Sequence, residues 1–403
     1  MKLKIHTQIL IAIVLGLVTG IVLGEKAGEL EIVGDLFIRL LKMIIVPLIL
    51  ASIVTGIISL GDTKKLGRIG LKTFLYYLTT TALAVILGLV LVNIIQPGKG
   101  VKLPTETTTD FSEREAPSII SILTDIIPEN IFAAMAQSQV LSIIFFSILL
   151  GIAICSIGEK GKPLVNLFEA FNDVMLKITG WIMRLAPIGI FALMAHTIGT
   201  LGLSVLKPLA IYMITVVLGL LIHAVIVLPI LLRIFGKYSP LKLIKDVFSA
   251  VTTAFSTASS AATLPITMEC LQENTGVSKK ITSFVLPLGA TINMDGTALY
   301  EAVAAMFIAQ VYGPAYGIHL GFSDQIIIVL TATLASIGAA AIPSAGLITL
   351  IIVLRAVNLP IEGIGMILAV DRILDMCRTA VNVWGDTCGT VIVAKLEQET
   401  LNN

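Results

Sequence analysis

The chain has 403 residues, of which 56% are hydrophobic and only 13% are charged. Soluble domains carry about 25% charged residues, so this composition excludes an ordinary soluble protein and indicates one that crosses a membrane several times. The formal net charge is +1, and the lysines and arginines are dispersed in short connections rather than clustered. This distribution gives no support to nucleic-acid binding.

Eight apolar runs follow one another along the chain, and each can cover the roughly 20 residues that a membrane-spanning helix needs. Two further segments, 243–272 and 323–356, are apolar at both ends but interrupted by small residues and a proline. The sequence therefore predicts an all-α polytopic membrane protein with eight transmembrane helices and two interrupted segments. The eight runs cover residues 8–24, 33–60, 73–96, 129–157, 164–196, 205–234, 281–311 and 362–394.

Basic residues in short connections indicate the cytoplasmic side of a membrane protein. They concentrate at 64–72, 160–162 and 233–245, whereas the connections at 25–31 and 106–115 are mainly acidic. This pattern predicts a multi-pass protein of the plasma (cell) membrane with both termini in the cytoplasm. With eight crossings, the two interrupted segments become re-entrant hairpins that enter the membrane from opposite faces.

The two hairpins have similar tips: small and hydroxyl-bearing residues at 256–260 and 336–338 come before matching stretches at 261–265 and 339–343, each of which ends in a proline. Each hairpin is followed by a helix whose apolar run is broken by polar residues, at 293–297 and at 382–387. Paired interrupted segments in corresponding halves indicate an inverted repeat with a transporter site near the membrane midplane. Packing of small residues between helices could explain one tip but does not explain two matching ones.

The last apolar run carries six polar side chains on one helical face, within an arc of roughly 100° at about 100° per residue. Charges at bilayer depth cost about 2.5–3.5 kcal/mol each on insertion scales, so they must meet polar partners. A carboxylate three residues from a guanidinium suits a small zwitterion, although an internal ion pair would also explain these two charges. The six residues are Asp371, Asp375, Arg378, Thr379, Asn382 and Asp386.

A second polar group, Asn293 and Asp295, interrupts another apolar run. Carboxylate, amide and hydroxyl oxygens suit hard cations, and the small number of carboxylates favours a monovalent ion such as Na⁺. Glu301 is a candidate proton carrier or, alternatively, a solvated carboxylate at a helix end. Tyr77 and the threonines at 79–81 either anchor the third run at the membrane interface or complete a cation site.

Four motifs occur in order along the chain: Ser-Ser-x-Ala-Thr-Leu-Pro at 259–265, Asn-Met-Asp-Gly-Thr at 293–297, Ala-Ser-Ile-Gly with a following proline at 335–343, and Asp-x-x-Arg-Thr-x-x-Asn-Val-x-Gly-Asp at 375–386. Together they resemble the dicarboxylate/amino acid:cation symporters, which include the excitatory amino acid transporters and the archaeal aspartate transporters. The resemblance extends from the first predicted helix to the last. It implies Na⁺-coupled transport of a small molecule rather than an enzymatic activity.

The resemblance also implies a homotrimer that works by an elevator mechanism. Residues 1–70 and 129–204 would form a scaffold from helices 1, 2, 4 and 5. Residues 71–128 contain helix 3 and an extracellular loop, and residues 205–403 contain helices 6 to 8 and both hairpins. These two segments would form the mobile transport domain.

Matching positions imply the site residues. Asp375 would bind the amino group of an acidic amino acid and Arg378 its side-chain carboxylate. Glu301 would couple transport to H⁺ symport and K⁺ countertransport. The implied substrate set is Ser260, Thr297, Ile342, Gly346, Asp375, Arg378, Thr379 and Asn382. The implied sodium sets are Gly289, Asn293, Asn382 and Asp386; Thr291, Ser336, Ile337 and Ala339; and Tyr77, Thr80, Thr81, Asn293 and Asp295.

Arg378 and Asp375 favour L-glutamate or L-aspartate as the substrate. A Na⁺- or H⁺-coupled symporter of a C4-dicarboxylate or of a neutral amino acid, with the same fold, is the alternative. Relatives place an arginine at the position of Ala258 or of Met376, so we expect Asp375 to lack a second cation here.

Two further classes are disfavoured. An intramembrane aspartyl protease would need the carboxyl groups of Asp295 and Asp386 to share a proton, but amides and hydroxyls accompany both acids. An anion channel could use Arg378, but the two acids beside it would repel the ion.

Overall fold

The computed structural model describes residues 5–60, 66–101, 127–137, 139–318, 320–336 and 345–402. Every regular element in these residues is helical, as the composition predicts. Three stretches, Thr7–Ile58, Arg68–Ile95 and Leu206–Gly236, are long and apolar enough to cross a membrane, and the bent pair Gly158–Met183 and Ala186–Thr200 would add a fourth. The total of eight spans stays a prediction.

The described residues of the first half of the chain contain seven α-helices, and two of the predicted runs differ from expectation. Run 129–157 is divided between two helices, and run 164–196 bends by 51°. Pro187 is the second residue of the helix after the bend; it has no N–H to donate to the preceding turn, which explains the break. The helices are α1 (Ile5–Leu23), α2 (Glu31–Leu60), α3 (Leu66–Ile95), α4 (Ile131–Ala136), α5 (Val140–Ser156), α6 (Lys162–Met183) and α7 (Ala186–Leu201).

Helices α1, α2, α5, α6 and α7 pack on one another. The α1–α7 crossing is close, because a Cβ atom at Gly20 would lie 2.7 Å from the Ala195 carbonyl oxygen. Small residues allow membrane helices to approach in this way. On the opposite side of α1 the apolar side chains of Leu15, Val18 and Val22 are exposed, as expected for a surface that meets lipid.

The described residues of the second half contain ten α-helices, which pack on one another and on α3. Two π-helical turns, His223–Val227 and Leu232–Gly236, follow α8 and flank the short α9. The last helix contacts α7, α8, α11, α13 and α14, so it lies at the centre of the molecule. The helices are α8 (Leu206–Ile222), α9 (Leu228–Leu231), α10 (Pro240–Asp246), α11 (Phe248–Thr257), α12 (Ser260–Glu273), α13 (Lys279–Ile292), α14 (Asp295–Tyr316), α15 (Phe322–Ser336), α16 (Ala345–Ala356) and α17 (Ile364–Leu396).

The first predicted hairpin consists of α11 and α12, which pack against each other, and its turn lies within the predicted stretch 256–260 rather than at 261–265. The chain turns at Ala258, which has a left-handed φ of 50°. Ser259 then caps α12 by accepting a hydrogen bond from the Ala262 amide. Pro265 of the predicted tip lies inside α12. The left-handed residue and the capping serine, rather than the proline, therefore determine the turn.

The second predicted hairpin consists of α15 and α16, which also pack against each other. Its predicted tip at 339–343 lies outside the described residues. The re-entrant placement of both hairpins in a membrane stays a prediction.

The two predicted helix interruptions have different outcomes. The first is confirmed: α13 ends at Ile292, Asn293 is extended, and α14 begins at Asp295. The second, at 382–387, is wrong, because α17 runs without a break from Ile364 to Leu396. Asn382 and Asp386 meet polar partners on the neighbouring helices, so α17 does not need to unwind to satisfy them.

Candidate functional site

The polar face of α17 forms the centre of the site. Arg378 is permanently charged yet only 1% exposed, so it needs partners inside the protein. Its Nη1 lies 3.1 Å from Asp371 Oδ1, and its Nη2 lies 2.9 Å from Asp375 Oδ1. Its guanidinium carbon is 3.8 Å from the centre of the Tyr300 ring on α14, a cation–π geometry. The arginine is thus held between two carboxylates and an aromatic face.

Asp375 contacts a second guanidinium, that of Arg372, which was not predicted from the sequence. Arg372 Nη1 donates a hydrogen bond of 3.3 Å to Asp375 Oδ2, and both side chains are buried. The expectation that Asp375 lacks a second cation is therefore wrong. The i,i+3 spacing of the two residues on one helix was the available signal. Asp371, Arg378, Asp375 and Arg372 form a row of alternating charge, which reduces the cost of burying each member.

Four further residues of the predicted substrate set lie around this row. Thr379 Oγ1 donates to the Asp375 carbonyl oxygen at 2.8 Å. Asn382 Nδ2 donates to Thr297 Oγ1 at 3.3 Å. At the start of α16, a Cβ atom on Gly346 would lie 3.0 Å from Thr297 Cγ2 and 3.2 Å from an Arg378 guanidinium nitrogen. The structure thus brings α14, α16 and α17 together at one point.

Two members of the predicted substrate set are not brought to this point. Ser260 is buried at the first residue of α12, and no polar contact joins it to the α17 row within the described residues. Ile342 lies outside the described residues.

Helix α14 adds a buried carboxyl group beside the row. Glu301 follows Tyr300 and is fully buried in the body of α14, so the alternative of a solvated carboxylate at a helix end is wrong. One carboxyl oxygen accepts a hydrogen bond from Thr349 Oγ1 of α16. The other has no hydrogen-bond partner among the described residues. Glu301 therefore faces both α16 and the neighbourhood of Arg378.

An oxygen-lined cluster lies where α13 ends beside α17. Asn293 Nδ2 donates to Asp386 Oδ1 at 2.9 Å and to the Asn382 carbonyl oxygen at 3.2 Å. Asn293 Oδ1 is buried and has no hydrogen-bond partner among the described residues. Gly289 permits this close approach, because a Cβ atom there would lie 2.5 Å from both Asp386 Oδ1 and the Tyr77 hydroxyl. Such buried, unsatisfied oxygen is suited to a hard cation.

A second oxygen cluster surrounds Asp295, the first residue of α14, which is fully buried. Asp295 Oδ1 accepts hydrogen bonds from Thr80 Oγ1 at 3.1 Å and Thr81 Oγ1 at 2.7 Å, both on α3. Asp295 Oδ2 lies 3.0 Å from His223 Nε2. His223 was not predicted from the sequence, although a single ionisable residue in an apolar run was a usable signal. His223 begins a π-helical turn, an irregularity that is frequent at functional sites.

Tyr77 of α3 lies beside the first cluster, fully buried, and its hydroxyl donates to the Val285 carbonyl oxygen at 3.3 Å. The remaining predicted sodium set is not assembled in the described residues. Thr291 is exposed and bonds to its own helix, at the Leu288 carbonyl oxygen. Ser336 donates to the Thr333 carbonyl oxygen at 2.7 Å. Ile337 and Ala339 lie outside the described residues.

Sequence comparison with known proteins shows which family the chain belongs to. The profile of the Sodium:dicarboxylate symporter family matches residues 5–396. A proton/sodium-glutamate symport protein of Geobacillus stearothermophilus is 39% identical over 98% of this chain and 95% of its own length. A proton/glutamate-aspartate symporter of Escherichia coli is 40% identical over 99% and 94% of the two chains. A C4-dicarboxylate transport protein of Rhizobium leguminosarum is 39% identical over 98% and 89%. The chain therefore belongs to the sodium:dicarboxylate symporter family, and it is a membrane transporter rather than an enzyme.

Proposed function

We propose that the chain performs secondary active symport of an acidic amino acid, L-glutamate or L-aspartate, with several sodium ions. The observation that carries this proposal is the buried Arg378, paired with Asp371 and Asp375 next to two oxygen-lined clusters. A permanent cation at this depth suits an anionic substrate, and the adjacent oxygens suit Na⁺.

An amino-dicarboxylate complements the α17 row because it offers both carboxylates and an ammonium group. Arg378 would bind the side-chain carboxylate through two parallel hydrogen bonds, and Asp375 would bind the ammonium. The substrate then replaces one internal ion pair with two intermolecular ones. Neither buried charge loses its partner, a loss that costs about 3–5 kcal/mol. The remaining contacts would come from Ser260, Thr297, Ile342, Gly346, Thr379 and Asn382.

Sodium coupling supplies the driving force for this transport. Moving one negative charge into a cell with a negative interior costs about 2.3 kcal/mol per 100 mV. Each accompanying Na⁺ reverses that contribution, and a tenfold Na⁺ gradient adds about 1.4 kcal/mol. Several Na⁺ per substrate therefore make accumulation of an acidic amino acid favourable.

The sodium ions would bind in the oxygen-lined clusters. The unpartnered Asn293 Oδ1 supports one ion there, because a buried amide oxygen without a donor is costly unless a cation meets it. Asn382 and Asp386 lie on the same helix as Arg378, which would link ion binding to substrate binding. The proposed sets are Gly289, Asn293, Asn382 and Asp386; Tyr77, Thr80, Thr81, Asn293 and Asp295; and Thr291, Ser336, Ile337 and Ala339.

Glu301 would couple transport to H⁺ symport and K⁺ countertransport. Its complete burial and its position after Tyr300, which stacks on Arg378, support this role. A charged carboxylate is expensive to bury without an ion pair, so a proton on Glu301 would neutralise it while the substrate occupies Arg378.

An elevator mechanism would divide the chain into a scaffold, 1–70 and 129–204, and a transport domain, 71–128 and 205–403. The packing of α1, α2, α5, α6 and α7 as one group, and of α3 with α8–α17 as another, supports this division. We propose a homotrimer in the plasma membrane with cytoplasmic termini, in agreement with the distribution of basic residues.

A C4-dicarboxylate symporter is the second candidate, and Arg372 is the observation that favours it. If Arg372 keeps Asp375 paired, Arg378 is available to a substrate that has no ammonium group. A neutral amino acid is a poorer match, because it has no side-chain carboxylate to pair with Arg378.

The test is uptake by the purified protein in liposomes. Labelled aspartate or glutamate should accumulate when Na⁺ is present outside and should not accumulate when choline replaces it. Unlabelled aspartate, glutamate, succinate and serine then compete for uptake. Competition by succinate as strong as that by aspartate would favour the second candidate. Uptake that is unaffected by the removal of Na⁺ would refute the first.

A further inference from the structure

An apolar groove of about 690 Å³ lies away from the α17 row, between the segment after α8, helices α10 and α11, and α17. Leu241 on its rim is 76% exposed, so the groove opens to the outside of the packed helices. Its walls are almost entirely apolar. They include Val225, Ile230, Leu241, Ile244, Val381 and Trp384.

The groove adjoins a basic pocket of about 450 Å³. Arg233 and Ser239 line both cavities, and Lys237 and Lys242 add two more cations to the pocket. No carboxylate lines it, and within the described residues none of the three cations forms an ion pair. Lys242 Nζ donates to the Asn402 carbonyl oxygen at 2.9 Å and lies 5.7 Å from the centre of the Tyr238 ring, so no anionic group meets its charge. An uncompensated cationic pocket thus lies at the end of an apolar channel.

We propose that the groove and the basic pocket together bind one anionic glycerophospholipid of the surrounding bilayer. One acyl chain would lie in the groove, and the phosphate would lie among Arg233, Lys237 and Lys242. Charge complementarity selects this occupant, since basic pockets between transmembrane helices bind anionic headgroups. A zwitterionic lipid would bring its own cation into the same pocket.

The bound lipid would contact the protein close to the second oxygen cluster. Trp384 in the groove wall donates from Nε1 to the Ala224 carbonyl oxygen at 3.0 Å. Ala224 lies in the π-helical turn that begins with His223, which contacts Asp295. An acyl chain packed on Trp384 is therefore linked to Asp295 through Ala224 and His223, two successive residues of this turn.

Trp384 also provides the measurement. The chain has two tryptophans, and Trp181 is 55% exposed whereas Trp384 is 5% exposed in the groove wall. A Trp181→Phe variant is reconstituted in phosphatidylcholine vesicles to which one brominated lipid is added as a quencher. The quencher is brominated phosphatidylglycerol in one series and brominated phosphatidylcholine in the other. Quenching of Trp384 fluorescence should reach half its maximum at a lower mole fraction of the anionic lipid. The expected difference is about fivefold for each cation that meets the phosphate.

A matched pair of variants locates the effect. Arg233→Gln with Lys237→Gln should remove the preference for the anionic lipid. Lys279→Gln with Lys280→Gln removes two exposed charges at the start of α13, outside the groove, and should retain the preference. If both double variants lose the preference for the anionic lipid, the preference depends on net charge alone and the proposed binding site is wrong. Equal quenching by the two lipids in the Trp181→Phe parent would overturn it as well.

A third variant tests the groove without removing a basic residue. Leu241→Glu places a negative charge on the exposed rim and should weaken quenching by the anionic lipid, while circular dichroism reports that the fold is kept. Quenching by the anionic lipid that is unchanged in Leu241→Glu would contradict the proposed position of the acyl chain.

Discussion

Arg372 lies one turn before Asp375 on α17 and donates a hydrogen bond of 3.3 Å from Nη1 to Asp375 Oδ2. The other carboxylate oxygen of Asp375 pairs with Arg378 at 2.9 Å. If Arg378 turns to a substrate carboxylate, Arg372 is the cation that still holds Asp375 in its orientation. Asp375 can then accept an ammonium group without first losing every partner. Such a loss is costly for a buried charge.

Replacing Arg372 by methionine keeps an apolar stem and removes the guanidinium. We expect aspartate binding to weaken about 10- to 150-fold, because a hydrogen bond to a charged group contributes about 1.5–3 kcal/mol. Arg372→Lys should recover part of the loss. Calorimetric titration with aspartate in Na⁺ buffer measures both, with the exposed Arg184→Met as the control. An unchanged Kd in Arg372→Met would show that Asp375 does not need this partner.

Arg378→Cys removes the guanidinium that would bind the acidic side chain. Aspartate affinity should fall at least about 100-fold, because breaking a buried ion pair costs about 3–5 kcal/mol. Binding of a neutral amino acid such as serine should become measurable, since the uncompensated cation is gone. Competition binding with the two ligands tests this. Aspartate affinity equal to that of the unaltered protein would exclude Arg378 from the substrate site.

The helix breaks show what the sequence can and cannot predict about the fold. The interruption at Asn293 was predictable because polar residues and glycines follow one another there. The interruption expected at 382–387 has the same composition, yet α17 is continuous. The difference is tertiary: Asn293 Nδ2 reaches Asp386 from α13, so the polar groups of α17 are satisfied with the helix intact.

The site residues that belong to sequence motifs were predictable. Those that join the site only through a contact between helices were not. Asp375, Arg378, Asn382, Asn293 and Asp295 stand in recognisable polar runs, and the structure brings them together. The partners across helices, His223 with Asp295 and Tyr300 with Arg378, depend on distances that no periodicity encodes. Arg372 lies at about 100° from Asp371 on the helical wheel, just beyond the polar arc, and was therefore overlooked.

Thr81→Ala removes a hydroxyl that donates to Asp295 Oδ1 at 2.7 Å. The Na⁺ concentration that gives half-maximal aspartate binding should rise about tenfold, because a hydrogen bond to a carboxylate is lost and the carboxylate is less well oriented. Thr79→Ala is the control: its hydroxyl is on the exposed side of α3 and bonds the Leu75 carbonyl oxygen. The same Na⁺ dependence in both variants would remove the Asp295 cluster from the proposed sodium sites.

Glu301→Gln keeps the shape of the side chain and removes its ability to carry a proton. Exchange of internal for external substrate should persist, whereas net uptake and its dependence on internal K⁺ should be lost. Both fluxes can be measured in the same liposomes, with the exposed Glu269→Gln as the control. If uptake by the unaltered protein ignores internal K⁺, the role proposed for Glu301 in K⁺ countertransport is wrong.

Glu397 links the end of α17 to the start of α3. Its carboxylate lies 2.5 Å from an Arg68 nitrogen and 2.7 Å from Lys72 Nζ. Hydrogen bonds from Arg68 and then Lys72 hold the pKa of Glu397 below its usual range. A carboxyl group with a lowered pKa stabilises the folded state above its usual pKa, and this contribution is lost as the pH falls through the lowered value.

Glu397→Gln should therefore lower the Tm near neutral pH, by about 1–2 °C, since a solvent-accessible ion pair contributes little. The difference from the unaltered protein should shrink as the pH falls below about 4, near the ordinary pKa of a glutamate side chain, and on towards the lowered pKa of Glu397. Thermal unfolding in detergent, near neutral pH and again below about pH 4, measures this Tm difference. A Glu273→Gln variant, at an exposed position, serves as the control. A Tm difference that is the same at both pH values would mean that the glutamine disturbs packing rather than the ion pair.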